Sequence, residues 1–243
     1  AAARERSRLI EAIQALLRLP LGSFARDEVM VILSHPNARA RFAEIEPRLW
    51  LRWCAELGIV HGADHSDHVG SYIDQDLCNW EQGLKRLALG SLLSADRSDD
   101  LLVRRGHHTD AVAGDAARSS GQRPASPSSA PAERYAPHYV GDDERASAAV
   151  FARLLRSLIA DARFARTVRL GLDDWGRFAS ALVQAYLAPA SDDDRAVFEG
   201  VLETLSGVGA GVAGLALDYA AAHGLLSERV QQLRGRRAHR HVR

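Results

Sequence analysis

The chain has 243 residues, enough for one large domain or two small ones, and its 47% hydrophobic and 26% charged residues are ordinary for a globular protein. Its 31 Lys and Arg residues balance its 31 Asp and Glu residues, which argues against a uniformly basic nucleic-acid coat and leaves room for a local basic groove. No apolar run approaches the roughly 18 residues that span a membrane, and Cys54 and Cys78 form no C-x-x-C motif.

The N-terminus enters a helical pattern almost at once, without an initiating Met or a signal peptide. We therefore interpret the chain as a segment of a longer protein. A cytoplasmic location with no membrane contact is expected, and the small number of cysteines agrees with a reducing compartment.

Apolar residues in the first half of the chain recur at i, i+3 and i+4 spacing, which predicts a series of short amphipathic helices. Gly58 is suited to follow a helix as a left-handed C-cap, and Asn79 is suited to begin one as an N-cap. A polar loop over residues 61–71 precedes the last of these helices. The predicted helices span residues 7–19, 26–33, 38–42, 47–57 and 80–93.

Helical periodicity stops over residues 94–143, where Ser, Pro, Ala and Arg dominate and apolar residues are too few to offset the entropy of ordering. We predict a flexible insert there, between an N-terminal helical lobe (residues 1–93) and a C-terminal helical lobe with a basic tail (residues 144–243). Ser191, with Asp194 three residues later, resembles a capping box. Since no strand-like alternation is found, the predicted fold class is all-α. The helices predicted in the second lobe begin near residue 144, at residue 173 or 174, after residue 191 and near residue 212, the last ending near residue 222.

The polar loop contains the residues that most resemble a catalytic or metal site. His61 and His65 have the i, i+4 spacing of a helical metal-binding pair, and Asp64, Asp67 and His68 add further ligand types. Turn-forming residues argue against a regular helix in this loop, and the Glu that H-E-x-x-H enzymes place between the two histidines is absent. We favour a solvated loop with helix-capping carboxylates. The alternative is a small metal-dependent hydrolase that uses the three histidines.

Motifs for nucleotide or cofactor chemistry lack the context that they require. Residues 209–214 match G-x-G-x-x-G, but the preceding segment has helical periodicity, so an interhelical turn is predicted. Lys85, the sole lysine, lies within a predicted helix and follows no Walker A glycine loop. No G-x-S-x-G elbow identifies a nucleophile. We therefore predict no catalytic residue, no metal ion and no cofactor in this chain.

Two arginine sets are candidates for contacts with nucleic-acid phosphates, because the planar guanidinium donates paired hydrogen bonds. Four tryptophans are also able to stack on bases, but their spacing on amphipathic helices favours core packing. The tryptophans are Trp50, Trp53, Trp80 and Trp175. The first arginine set is Arg39, Arg41, Arg48 and Arg52, and the second is Arg163, Arg166 and Arg169.

Several collinear stretches resemble the helicase-like part of RecC proteins, the gamma subunits of exodeoxyribonuclease V, and their AddB-like relatives. LLRLPLGSFARDEVMVILSHPNARARF is similar to the family's run of short helices that ends in P-x-x-x-x-R-F. The stretches NWEQGLKRLALGSLL and LDDWGRFASALVQAYLAP resemble two later helices of the family, so that the resemblance covers most of residues 7–206. The family's W-x-x-x-x-G-I-x-x-G-x-D pattern is matched by Trp53, Gly58, Ile59, Gly62 and Asp64.

This resemblance implies an accessory helical domain like the one inserted in the second motor domain of UvrD-type helicases. It also implies a motor fold that binds and splits duplex DNA in double-strand break repair, while RecB-like and RecD-like partners hydrolyse ATP and RecB cleaves DNA. The leading hypothesis is therefore a non-catalytic, strand-guiding segment of a RecC-like subunit. A stand-alone helical adaptor or regulator that binds protein or nucleic acid is the main alternative, followed by the metal-dependent hydrolase.

Overall fold

A computed structural model describes residues 2–71, 76–92, 136–210 and 215–236. These residues contain no β-strand, and one isolated antiparallel β-bridge pairs Leu170 with Leu217. The predicted all-α class is confirmed. The α-helices are α1 (Ala2–Arg18), α2 (Arg26–Leu33), α3 (Pro36–Arg41), α4 (Pro47–Glu56), α5 (Trp80–Leu92), α6 (Arg145–Thr167), α7 (Leu172–Tyr186), α8 (Asp192–Ser206) and α9 (Tyr219–Arg236), and two 3-10 helices are η1 (Leu19–Leu21) and η2 (His65–His68). None of the described helices combines the length and the hydropathy needed to cross a lipid bilayer.

The helix ends follow the capping chemistry that the sequence predicts. Gly58 has a φ of +68°, a left-handed conformation that glycine adopts without strain, and it follows Leu57, the C-cap of α4. Asn79 accepts a hydrogen bond from the Gln82 amide at 2.9 Å at the start of α5. Ser191 accepts one from the Asp194 amide at 3.2 Å at the start of α8. Helices α2, α4 and α5 match their predicted bounds within one residue.

The helix predicted near residues 212–222 is wrong in its position. Leu217 pairs with Leu170 through two backbone hydrogen bonds of 3.0 and 2.9 Å, so residue 217 is not helical. The helix begins at Tyr219, where Asp218 Oδ1 accepts a hydrogen bond from the Ala221 amide at 2.9 Å, and it continues to Arg236. The pairing with a distant segment therefore delays the helix beyond the point that its apolar periodicity suggests.

The G-x-G-x-x-G stretch follows a helix, α8, as the interhelical-turn interpretation requires. Its first glycine, Gly209, has a φ of +90° and packs against the backbone of Asp173 so closely that a Cβ has no room. Residues 211–214 lie outside the described part of the chain.

The helices pack around one contiguous hydrophobic cluster, and all four tryptophans are fully buried in it. The Phe151 ring lies 4.8, 5.8 and 6.5 Å, between centroids, from the rings of Trp50, Trp53 and Trp80. Trp175 packs against Tyr219 at 5.1 Å. Core packing of the tryptophans, rather than stacking on bases, is confirmed.

Described residues of both predicted lobes contribute to this cluster. Helix α5 packs on α6, and α1 packs on α7, α8 and α9. Hydrogen bonds join the segments in the core: Trp50 Nε1, for example, donates to Ser147 Oγ at 2.9 Å, and Tyr219 Oη donates to Leu17 O at 2.6 Å. The division into two lobes stays a prediction, and the described helices on either side of the insert share one core.

Residues 93–135, most of the predicted flexible insert, lie outside the described part of the chain. The segment that follows them lies along α5, because His138 N donates to Arg86 O at 3.0 Å and Arg86 Nε donates to Ala136 O at 2.9 Å. Gly90 lies so close to the His138 backbone that a Cβ at this position has no room. Val140 is fully buried. Residues 136–140 are therefore packed against α5 and the core.

Candidate nucleic-acid interface

Arg163, on α6, is bound by the two acidic residues of the polar loop. Its Nη1 lies 2.5 Å from Asp64 Oδ2, and its Nη2 lies 3.2 Å from Asp67 Oδ2. The guanidinium holds the pKa of the Asp64 carboxyl well below its usual range, because its hydrogen bond stabilises the ionised form. Arg163 therefore already has the anionic partners that a phosphate would otherwise supply.

Arg166, one turn further along α6, is bound mainly by backbone carbonyl groups. It donates hydrogen bonds to Pro20 O, at 2.7 Å, and to Gly22 O. Its guanidinium lies over the Phe24 ring, 4.0 Å from the centroid, and 3.6 Å from Asp67 Oδ1. Burial lowers the pKa of Arg166 from its ordinary value. This side chain ties α6 to the segment that connects α1 to α2.

The polar loop forms the 3-10 helix η2, and its carboxylates cap backbone amides. Asp64 Oδ1 accepts a hydrogen bond from the Ser66 amide at 2.8 Å, and Asp67 Oδ2 accepts one from the Ala63 amide at 2.6 Å. The prediction of a helix-capping carboxylate is confirmed for Asp64, the N-cap of η2. The loop is not solvated throughout, however, since His68 is only 1% exposed.

His68 is enclosed by the turn that precedes it. Its Nε2 lies 3.2 Å from His61 O, and the two imidazole rings are 4.7 Å apart between centroids. Gly62 has a φ of +82°, and a Cβ at this position would lie 2.6 Å from His68 Nε2, so a glycine is needed for the turn to close. Within the described part of the chain, no three His, Cys, Asp or Glu side chains are arranged to hold a metal ion.

Two more of the predicted arginines are bound within the protein. Arg52, on α4, pairs with Glu144 at the start of α6 and lies 3.9 Å from Glu56, and the bond to Glu144 raises the pKa of its guanidinium. Arg169 Nη2 donates to Ala216 O at 3.1 Å beside the Leu170–Leu217 bridge. Both side chains join elements that are distant in sequence.

The other three predicted arginines lie exposed at the ends of α3 and α4. Within the described residues, Arg39 and Arg48 take part in no hydrogen bond or ion pair. Arg41 has weak contacts only: its Nε lies 3.5 Å from Ala185 O, and its guanidinium lies 5.7 Å from the centroid of the Phe42 ring. A phosphate can reach these three guanidiniums without displacing a carboxylate.

Two acidic residues in the turn between α3 and α4 reduce the net positive charge of this part of the surface. Glu44 and Glu46 are both exposed there. Residues 36–48 therefore hold three arginines and two glutamates, a formal net charge of 3 − 2 = +1. We call residues 36–48, with Arg39, Arg41 and Arg48, the α3–α4 surface.

Sequence reasoning missed the pairing between the polar loop and α6. It treated Asp64 and Asp67 as capping or metal-binding residues, and Arg163 and Arg166 as phosphate ligands. A signal was present, because both pairs have i, i+3 spacing and opposite charge, a complementary pattern. The contacts show that the four side chains form one charged cluster.

Comparison with known protein families gives a match over nearly the whole chain. The model of the fourth domain of the RecBCD enzyme subunit RecC matches residues 6–234. The match continues beyond residue 206, where the resemblance from sequence motifs stops. No curated protein matches the chain.

Proposed function

The chain belongs to the family of RecC fourth domains, and we propose on this basis that it is a non-catalytic segment of a RecC-like subunit that contacts and guides DNA strands. The process served is double-strand break repair by recombination, in the cytoplasm. The partners in this proposal are DNA and RecB-like and RecD-like subunits, which hold the motor and nuclease sites. The family match over residues 6–234 is the observation that carries the proposal.

The contacts of Asp64 and Asp67 in the polar loop support a non-catalytic role. The two carboxylates bind Arg163 and backbone amides, so they are not available as a base or as metal ligands without loss of those bonds. The sequence also lacks a Walker A loop. The hydrolase alternative on His61, His65 and His68 receives no support from this geometry.

We assign the phosphate contacts to the α3–α4 surface rather than to α6. A phosphate that approached Arg163 would have to displace Asp64 and Asp67, and the freed carboxylates would then repel it. Arg39 and Arg48 have no such competitor among the described residues. The arginines of α6 in this proposal hold the fold that presents α3 and α4.

Salt-dependent binding of the chain to forked DNA, followed by fluorescence anisotropy, tests the proposal. Three phosphate contacts predict a slope of about −2.7 in a plot of log affinity against log salt, or about 40-fold weaker binding at 200 than at 50 mM. Replacing Arg39, Arg41 and Arg48 by Gln together should remove most of this slope. The control is a double variant, Arg153→Gln with Arg229→Gln, at exposed arginines on other helices. Salt-independent affinity would contradict phosphate binding, and a triple variant with the original slope would contradict this surface.

A further inference from the structure

A groove with a volume of about 560 Å³ lies where α1, α2 and α9 meet, and it is lined by none of the residues of the α3–α4 surface. This volume is in the range of protein ligand sites. The side chains of Ala15, Leu19 and Val31 form its apolar part. Val31 is 57% exposed although it lies on a helix of the core, so a ligand in the groove would remove apolar surface from water. We call this feature the α1–α9 groove.

One wall of the groove is a row of polar side chains on α9. His223, Ser227 and Gln231 follow each other at four-residue spacing, which places them on one side of the helix. His223 Nε2 and Ser227 Oγ lie 3.0 Å apart. Eight residues of helix rise by about 12 Å. An extended peptide rises by about 3.3 Å per residue, so the row is as long as three or four peptide residues.

The charges in the groove favour a peptide over a nucleic-acid strand. Arg18 and Glu28 both line it, so its formal net charge from these two is 1 − 1 = 0. Burial, and then the charge of Arg18, lower the pKa of His223, which keeps the imidazole neutral at pH 7. A polyanion would gain little from such a site.

Glu28 and Arg18 differ in whether they already have partners within the protein. Glu28 already accepts hydrogen bonds from the amides of Ser23 and Ala25, at 3.0 and 2.9 Å. Arg18 forms no ion pair within the described residues, so a ligand carboxylate is the partner that it lacks. The amides of Gln14 and Gln231 both donate and accept, which matches the alternating N–H and C=O groups of a peptide, whereas a phosphodiester only accepts.

We propose that the α1–α9 groove binds a short extended segment of a partner protein, with an acidic side chain against Arg18 and an apolar side chain against Val31. This binding goes beyond the proposed contact with DNA. Since the groove and the α3–α4 surface share no residue, either proposal can fail while the other holds.

The probe is a fluorescein-labelled, end-capped peptide of sequence Ser-Leu-Asp-Leu-Ser, titrated with the full 243-residue chain. We expect saturable binding with a Kd on the order of 0.1–1 mM, as suits a contact of this size. A matched peptide with Asn in place of Asp should bind roughly threefold to fivefold more weakly, because it lacks the charge that pairs with Arg18. Amide resonances of Ala15 and Gln231 should shift in ¹⁵N spectra, whereas those of Arg39 and Arg48 should not.

Variants of the groove decide whether Arg18 and the apolar part act as proposed. In Arg18→Gln, both peptides should bind equally, whereas Arg229→Gln, an exposed change on α9 outside the groove, should keep the difference. Ala15→Phe fills the groove and should abolish binding of both peptides, with far-UV circular dichroism as the check on folding. The proposal would be overturned if peptide binding did not saturate, or if the Arg18→Gln chain still preferred the Asp peptide. Displacement of the peptide by forked DNA would overturn it as well.

Discussion

Arginines with the same predicted role lie in two different environments in this protein. On α6, Arg163 and Arg166 are bound by Asp64, Asp67 and backbone carbonyl groups, a cluster that we call the α6 clamp. On the α3–α4 surface, Arg39 and Arg48 are exposed and have no partner among the described residues. A guanidinium is therefore available to a phosphate only where the fold has not already supplied carboxylate or carbonyl oxygens that accept its hydrogen bonds.

The two environments also differ in what the side chains contribute to stability. The side chain of Arg166 is only 29% exposed, and its removal leaves the carbonyl groups of Pro20 and Gly22 without this donor and removes an ion pair with Asp67. Substitution of an exposed arginine that has no partners changes the free energy of unfolding very little. Substitutions in the α6 clamp should therefore change the free energy of unfolding, and substitutions on the α3–α4 surface should change binding.

The largest effect is expected for Arg166→Ala, which removes the link between α6 and the segment after α1. We expect a loss of about 2 kcal/mol in the free energy of unfolding, since charge-assisted hydrogen bonds to partly buried groups are lost. Urea denaturation followed by circular dichroism measures it. Arg153→Ala, an exposed change on the same helix, should stay within about 0.5 kcal/mol of the original chain. Equal midpoints for the two variants would show that the clamp carries no stability.

A smaller and pH-dependent effect is expected for Asp64→Asn. The pKa of Asp64 is lower in the folded chain than in the unfolded chain, so its stabilisation is present above the unfolded pKa of about 3.9 and is lost as the pH falls through the folded value. Because the Asp64 side chain is 34% exposed, solvent screening limits the loss in this variant at pH 7 to about 1 kcal/mol or less.

Urea denaturation between pH 7 and pH 2.5 measures the difference between the original chain and Asp64→Asn, which should shrink as the pH falls. Asp142→Asn is the control, because Asp142 is 87% exposed in its pair with Arg145. A difference that stays constant down to pH 2.5 would rule out ionisation of Asp64 as its cause.

Single substitutions in the two arginine groups should separate an effect on binding from an effect on stability. Arg48→Gln should reduce the salt slope for forked DNA by about one and leave the free energy of unfolding unchanged within about 0.5 kcal/mol. Arg163→Gln should destabilise the chain and leave the slope unchanged. Anisotropy titrations at 50, 100 and 200 mM salt measure both slopes. The reverse pattern would place the phosphate contact on α6 instead.

The smallest effect is expected from the two glutamates of the α3–α4 surface. Replacing Glu44 and Glu46 by Gln raises the formal charge of residues 36–48 from +1 to +3. Binding to forked DNA at 50 mM salt should then strengthen by roughly twofold to threefold, an effect of exposed charges that salt screens. The double change Glu199→Gln with Glu203→Gln, on α8, alters the net charge equally and is the control. Equal strengthening by both pairs would mean that only total charge matters.

Much of the fold could be predicted because its determinants are local. Apolar spacing and the caps Gly58, Asn79 and Ser191 lie within a few residues of the helix ends that they define. The start of α9 could not be predicted in the same way, since it depends on the pairing of Leu217 with Leu170. The docking of residues 136–140 on α5 likewise depends on Gly90 and on the backbone of another segment.

The residue types of the candidate site could be predicted from the sequence. Which of their side chains have no partner within the protein could not. Asp64 and Arg163 are 99 residues apart in the chain, and the matching spacing of the two charged pairs does not by itself show that they meet. The sequence by itself determined the all-α class, the helix ends capped by Gly58, Asn79 and Ser191, and the burial of the tryptophans, because periodicity and capping act over a few residues. Only the tertiary structure decided which arginines are neutralised and which remain exposed, because that depends on which acceptors the packing of α6 brings within hydrogen-bond distance.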